Sequence, residues 1–122
     1  MAYTYNRLEI IGRIGKDATV RTTDGGQLMA TFSVATERSS KDGARVTDWH
    51  AVVAFGAQAD FAARYLVRVR LVFIAGRLAY RTYEDQQGRA RRVAEVIAQE
   101  LGALDRPPQP EAEQEGKGDV QP

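Results

Sequence analysis

Trp49 and Phe55 stand six residues apart in TDWHAVVAFG (Thr47 to Gly56), and Arg77, Arg81 and Tyr83 recur at alternate positions in the later run Leu71 to Tyr83. In an extended chain side chains alternate between two faces, so Trp49, Ala51, Val53 and Phe55 share one face and His50, Val52 and Ala54 the other. Six residues of strand set the two rings about 20 Å apart. That span would floor a groove for several flat, unstacked rings, although two core aromatics would show the same spacing. In the later run the even positions Val72, Ile74, Gly76 and Leu78 read as interior. The odd positions begin apolar with Leu71, Phe73 and Ala75, which suggests burial against another subunit, and pass to Arg77, Ala79, Arg81 and Tyr83. Guanidinium groups beside an aromatic suit a single-stranded nucleic acid, the guanidinium for phosphate and the ring for a base. A Tyr83 that merely ends an edge strand is the competing reading.

Other constellations carry less chemistry. GRIGKD (Gly12 to Asp17) resembles a phosphate loop, but its glycines are separated by two residues instead of four, Asp17 stands where Ser or Thr is needed, and no helix follows. Gly12 and Gly15 fit a tight barrel corner better, with Lys16 near enough to meet a phosphate. His50 has no plausible nucleophile beyond Ser39 and Ser40, which fall in a loop, and no orienting carboxylate except its neighbour Asp48. With no cysteine and one histidine, thiolate and multi-imidazole metal sites are excluded. The expectation is a protein that is not an enzyme and needs no metal or cofactor.

The elements that must position these residues are mostly strands. NRLEIIGRI (Asn6 to Ile14) is rich in branched residues, and Asp24-Gly25-Gly26 separates a short extended stretch, Val20 to Thr23, from a long one, Gln27 to Arg38. ERSSKDGAR (Glu37 to Arg45) has turn composition and is expected to be a mobile loop, its Arg38 and Lys41 joining the candidate phosphate contacts. A strand from Val46 to Phe55 follows, then AQADFAARYL, where Phe61 and Tyr65 are spaced for one face of a helix. Leu71 to Thr82 and Arg89 to Gln99 complete the strands, joined by EDQQG. Five principal strands with one short helix between the third and fourth predict an all-β fold, a five-stranded Greek-key barrel of the OB type. Residues 1–104 form one domain on this reading. The remainder, 105–122, has four prolines and no aromatic residue and is expected to be a disordered acidic tail.

Charge follows the same division. Up to Leu104 there are 15 Lys and Arg against 11 Asp and Glu, and beyond it two against five, so the body is +4 and the tail −3. Thirteen of the 15 basic residues are Arg, a bias toward phosphate and ring contacts. No apolar run of membrane-spanning length and no leader is present, which predicts a soluble, unexported, cytoplasmic protein.

The chain resembles the bacterial single-stranded DNA-binding proteins, SSB. The resemblance rests on NRLEIIGRIGKDATVR (Asn6 to Arg21), ATFSVAT (Ala30 to Thr36), TDWHAVVAFG, ARYLVRVRLVFIAGRL (Ala63 to Leu78) and YRTYED (Tyr80 to Asp85). It implies an OB-fold that binds single-stranded DNA with little sequence preference during replication, recombination and repair, in a bacterial nucleoid-associated setting, usually as a homotetramer. Trp49, Phe55 and Tyr83 match family positions whose rings stack on bases, and Arg81 and Lys16 match backbone contacts. Leu71 and Phe73 match a dimer-packing surface, and His50 a subunit contact. The departures are Ser39-Ser40 where a further stacking tryptophan is common, Val69 where a glycine often turns the chain, and an ending GKGDVQP in place of an acidic stretch with a hydrophobic tip. They imply a weaker grip through the loop and put tail-tip recruitment of replication and repair proteins in doubt, with those proteins kept as candidate partners. An OB-fold interaction subunit of a primosome-type complex is the alternative function.

Overall fold

The computed structural model describes residues 3–105. The tail expectation therefore lies, from residue 106 on, outside the described residues. Six strands and one helix occur in the order β1 (Leu8–Ile14), β2 (Thr19–Thr22), β3 (Leu28–Ser39), β4 (Arg45–Phe55), α1 (Ala57–Tyr65), β5 (Leu71–Glu84) and β6 (Ala90–Ala103).

The strands lie side by side as β1-β5-β6-β4-β3-β2, and a further antiparallel pairing of β1 with β3 closes the sheet into a barrel. The closing seam is short, with Arg13 opposite Ala35 and Ile14 opposite Val34. Gly12 makes it feasible, because a Cβ there would overlap the Ala35 carbonyl oxygen. β4 and β6 run parallel; the other pairings are antiparallel. Five strands form the wall, β2 hangs on the outer edge of β3, and α1 falls between the third and fourth wall strands. This is the OB-type Greek-key barrel.

Alternation places the core. Val34, Val52, Val72 and Ile74 are fully buried, with Ile14, Phe32 and Val96 around them. The helix closes one end of the barrel with small side chains: Ala59 and Ala62 are buried, as is Leu66 just beyond. Of the Phe61–Tyr65 pair, Phe61 is partly buried and packs against the core at the edge of that face, whereas Tyr65 turns outward. The two rings touch each other at 5.1 Å, and Tyr65 is exposed.

Three segments differ from expectation. Glu37 to Arg45 is not one open loop: β3 runs to Ser39 and β4 begins at Arg45, leaving a short turn at residues 40–44. Opposite charges hold the extension, with Arg38 Nε 2.8 Å from Asp48 Oδ2 and Arg45 Nη1 3.1 Å from Glu37 Oε1. Ala75 is sealed within the protomer and so is unavailable to another subunit. It lies between Glu9 and Glu100 on neighbouring strands, and the Arg7 guanidinium, 3.4 Å from each carboxylate, bridges them. Asp105, assigned by composition to the tail, fastens the domain: its Oδ1 accepts from Arg70 Nε at 2.9 Å, and its Oδ2 from Arg13 Nη1 at 3.0 Å and from the Leu71 N–H at 3.1 Å.

The corner before β5 keeps the glycine-like conformation although Val69 occupies it. Val69 has a left-handed backbone with φ of 72°, fixed by its N–H to the Ile14 carbonyl at 2.8 Å and by Arg13 Nη1 donating to its own carbonyl at 3.0 Å. A β-branched residue is strained there by roughly 1–2 kcal/mol, part of which glycine's freedom in the unfolded chain cancels. Val69→Gly is expected to stabilise by about 0.5–1 kcal/mol, a rise of a few degrees in the thermal midpoint. A lower midpoint would mean that the exposed valine side chain contributes more than its strain costs.

Candidate nucleic-acid interface

The registers align the candidate residues across the outside of the barrel. Thr19, Thr31, Val53, Ile97 and Arg77 lie opposite one another in a row across β2, β3, β4, β6 and β5. Arg21, Met29 and Phe55 form a second row. Trp49, opposite Ala35, lies six residues along β4 from Phe55 on the same face. The rings are not core: Trp49 is 59 % exposed, Phe55 half-buried, and Tyr83, on the projecting β5–β6 arm, 45 % exposed.

Trp49 is seated by Gly15, where a Cβ would overlap the indole. The ring therefore rests against the Gly15 backbone, and with Gly15, Lys16 and Ser33 it lines a hollow of about 190 Å³. A second hollow, of about 360 Å³, borders Trp49, Ala51 and Glu95 and opens inward onto Leu8, Ile10, His50 and Leu78. Glu95 also borders a third hollow, about 270 Å³, that contains Phe55, Arg21, Met29 and Arg81. Shared walls make these one track from Lys16 past Trp49 to Phe55. Arg81 links its end to the arm, with Cζ 5.7 Å from the Tyr83 ring centre.

The cations are in two states. Lys16, Arg21 and Arg77 make no ion pair among the described residues. Arg81 is held: Glu95 Oε2 accepts from its Nε at 3.0 Å and its Nη2 at 2.8 Å, and this bonding raises the guanidinium pKa. The turn of the arm is tied by Asp85, which accepts from the Arg89 N–H at 2.9 Å, Arg91 Nε at 2.9 Å and the Gln87 N–H at 3.0 Å. Those bonds, the Arg89 N–H first, keep its carboxyl below the usual range. On the reverse face of the arm Arg92 stacks on Tyr80 at 4.2 Å.

The structure does not gather every candidate. Arg38 points with Asp48 and His50 to the face of the β3–β4 hairpin opposite Trp49, and it is paired. Lys41 sits in the turn beyond the strands. Leu71 and Phe73 lie around the barrel on the β1–β5 surface, half-buried, with exposed Ile11 directly opposite Phe73. His50 is half-buried, sharing a 2.9 Å hydrogen bond with Thr36. Ile11, Arg21, Met29 and Glu95 were missed as members of these surfaces. Ile11 occupies an outward alternation position that the sequence displays, whereas the places of Arg21 and Glu95 depend on the β2–β3 and β5–β6 registers. Among the described residues no cluster of three or more His, Cys, Asp or Glu could hold a metal ion, and no helix is long and apolar enough to cross a membrane.

Such a barrel, with rings and cations on one outer face, defines a class, and comparison with known proteins agrees. Residues 5–104 match the single-strand binding protein family, and the chain belongs to it. It is 40 % identical over 102 residues to the single-stranded DNA-binding protein of Clostridium tetani, covering 82 % of this chain and 70 % of that one. It is 35 % identical over 108 residues to that of Thermotoga maritima, covering 85 % and 77 %. Among solved structures, the Plasmodium falciparum SSB complex with ssDNA is similar with a TM-score of 0.78 at 28 % identity, covering 86 % of this chain and 99 % of that one.

Proposed function

We propose that this protein coats single-stranded DNA without marked base preference, in replication, recombination and repair. Trp49 and Phe55 stack on bases along the outer track and Tyr83 extends the path onto the arm, while Lys16, Arg21, Arg77 and Arg81 meet phosphates. The observation that carries this reading is the exposure of Trp49 and Phe55 on one face that also holds three cations free of ion pairs among the described residues. Every base has a π-face, so stacking tolerates any sequence. The strand is held and not chemically changed, and the function needs neither metal nor cofactor. The Ile11–Phe73 surface with Leu71, and separately the His50 face of the β3–β4 hairpin, are the sites of self-association into a homotetramer on this reading.

Four phosphate contacts per protomer set a salt dependence. The logarithm of the binding constant should fall with the logarithm of salt at about 0.7 per neutralised phosphate, a slope near −3 for an oligomer spanning one protomer. Anisotropy of a labelled dT oligomer and of a matched duplex, each at several salt concentrations, tests the proposal. Tighter binding to the single strand with this slope supports it, and equal affinity for the duplex refutes it.

A further inference from the structure

An acid on the floor of a track for a polyanion is unexpected. Glu95 lies where the Trp49 and Phe55 hollows meet, with its side chain 11 % exposed. We propose that Glu95 is nonetheless a positive determinant of strand binding, a positioning residue that holds Arg81 against the track and stays bonded to it when the strand is present. The proposal rests on the place given to Arg81 under Proposed function.

Two features of the geometry carry it. Glu95 uses one oxygen, Oε2, for both the Nε and Nη2 hydrogens of Arg81. Of the five guanidinium N–H donors three remain for phosphate, and the group is fixed with Cζ 5.7 Å from the Tyr83 ring centre. The Arg81 side chain is itself 57 % exposed, so without Glu95 it would regain most of its rotamer freedom and lose it again on binding. The alternative is that phosphate pulls Arg81 away. That would leave a nearly buried carboxylate unpaired beside Phe55, Val53 and Ile97, the costly half of a broken ion pair. The pair therefore stays closed.

The predicted sign opposes simple electrostatics. Glu95→Gln removes one negative charge from the track, which on charge alone tightens binding. Positioning predicts the reverse, roughly three- to tenfold weaker binding with an unchanged or shallower salt slope. The test measures dT-oligomer affinity at several salt concentrations for wild type, Glu95→Gln, Arg81→Ala and the double variant, with active concentration fixed by stoichiometric titration. Glu95→Gln should weaken wild type and change the Arg81→Ala protein by less than about twofold. Tighter binding, no change, or equal weakening in both backgrounds overturns the proposal. If Glu95→Gln does not fold, Glu95→Asp replaces it: the charge remains but the carboxylate is withdrawn by one methylene, so weaker binding supports positioning and wild-type affinity overturns it. Should Arg81→Ala itself bind like wild type, the place of Arg81 on the strand fails as well, which separates that failure from the failure of Glu95.

Discussion

Replacing Trp49 with alanine is expected to weaken binding of a dT oligomer roughly five- to 150-fold at fixed salt. Base–aromatic stacking is worth about 1–3 kcal/mol per base in single-strand binders generally, and each 1.4 kcal/mol is tenfold. The ring rests with its Cζ3 edge against Gly15. It is 59 % exposed, so the thermal midpoint should move little. The salt slope should also stay as in wild type, since no phosphate contact is removed. Trp49→Phe should recover much of the affinity. A loss of affinity accompanied by a large drop in melting temperature would instead place the indole among the structural residues. The control is Arg77→Ala, for which smaller weakening and a slope shallower by about 0.7 are expected.

The largest effect on stability is expected at Arg70, a residue with no part in the track. Its side chain is 7 % exposed and bonded on three sides: Nε to Asp105 Oδ1 at 2.9 Å, Nη2 to the Asp105 carbonyl at 3.0 Å and Nη1 to the Tyr65 carbonyl at 2.7 Å. One guanidinium thus ties the end of α1, the start of β5 and the exit of β6 together. Arg70→Ala should cost about 3 kcal/mol, toward the lower end for a broken buried pair because Asp105 keeps a third of its surface in water. That corresponds to a midpoint lowered by roughly 12–24 °C.

Acid should erode this difference. Desolvation, the largest single influence on the Asp105 carboxyl, raises its pKa, but the Leu71 N–H, Arg70 and Arg13 together outweigh it and hold the carboxyl below its ordinary value. A depressed folded pKa contributes its full stability above the unfolded value, and loses it as pH falls through the folded one. The gap between wild type and Arg70→Ala should therefore be constant near neutrality and narrow below about pH 4. Thermal melts across that range check both points, and a gap that widens in acid would contradict the assignment.

Much of the barrel was legible because its signal is local. Alternation in Val46 to Phe55 separates Val52 and Ala54, which are buried, from Trp49, which is not, and the same period separates Val72 and Ile74 from Phe73. Features that depend on a distant partner were not legible in this way. Ala75 follows the outward alternation and is nevertheless sealed, because Arg7 reaches across it between acids from β1 and β6. Composition alone makes Glu37 to Arg45 a loop, but cross-strand pairing of Arg38 with Asp48 and of Arg45 with Glu37 extends both strands. Asp105 belongs by composition to the acidic tail and by bonding to the domain.

The site divides similarly. Trp49, Phe55 and Tyr83 are rare residue types at telling spacings and are conspicuous in one dimension. Arg21 was hidden in a strand of four residues whose membership in the outer face follows from its partner, Met29. Glu95 carries no local mark at all, since its bond to Arg81 spans 14 residues of chain. Arg38 shows the complementary case: it is basic and on a neighbouring strand, but it lies on the hairpin face opposite Trp49 and pairs with Asp48.

The most direct test of the central claim uses the chain's single tryptophan. Intrinsic fluorescence is followed while poly(dT) is added, then while salt is raised, and the titration is repeated with duplex DNA of equal phosphate concentration. Bases stacking on an outward indole predict strong quenching by poly(dT), recovery with salt, and little response to the duplex. Unchanged emission at saturating poly(dT), or equal quenching by the duplex, would contradict it.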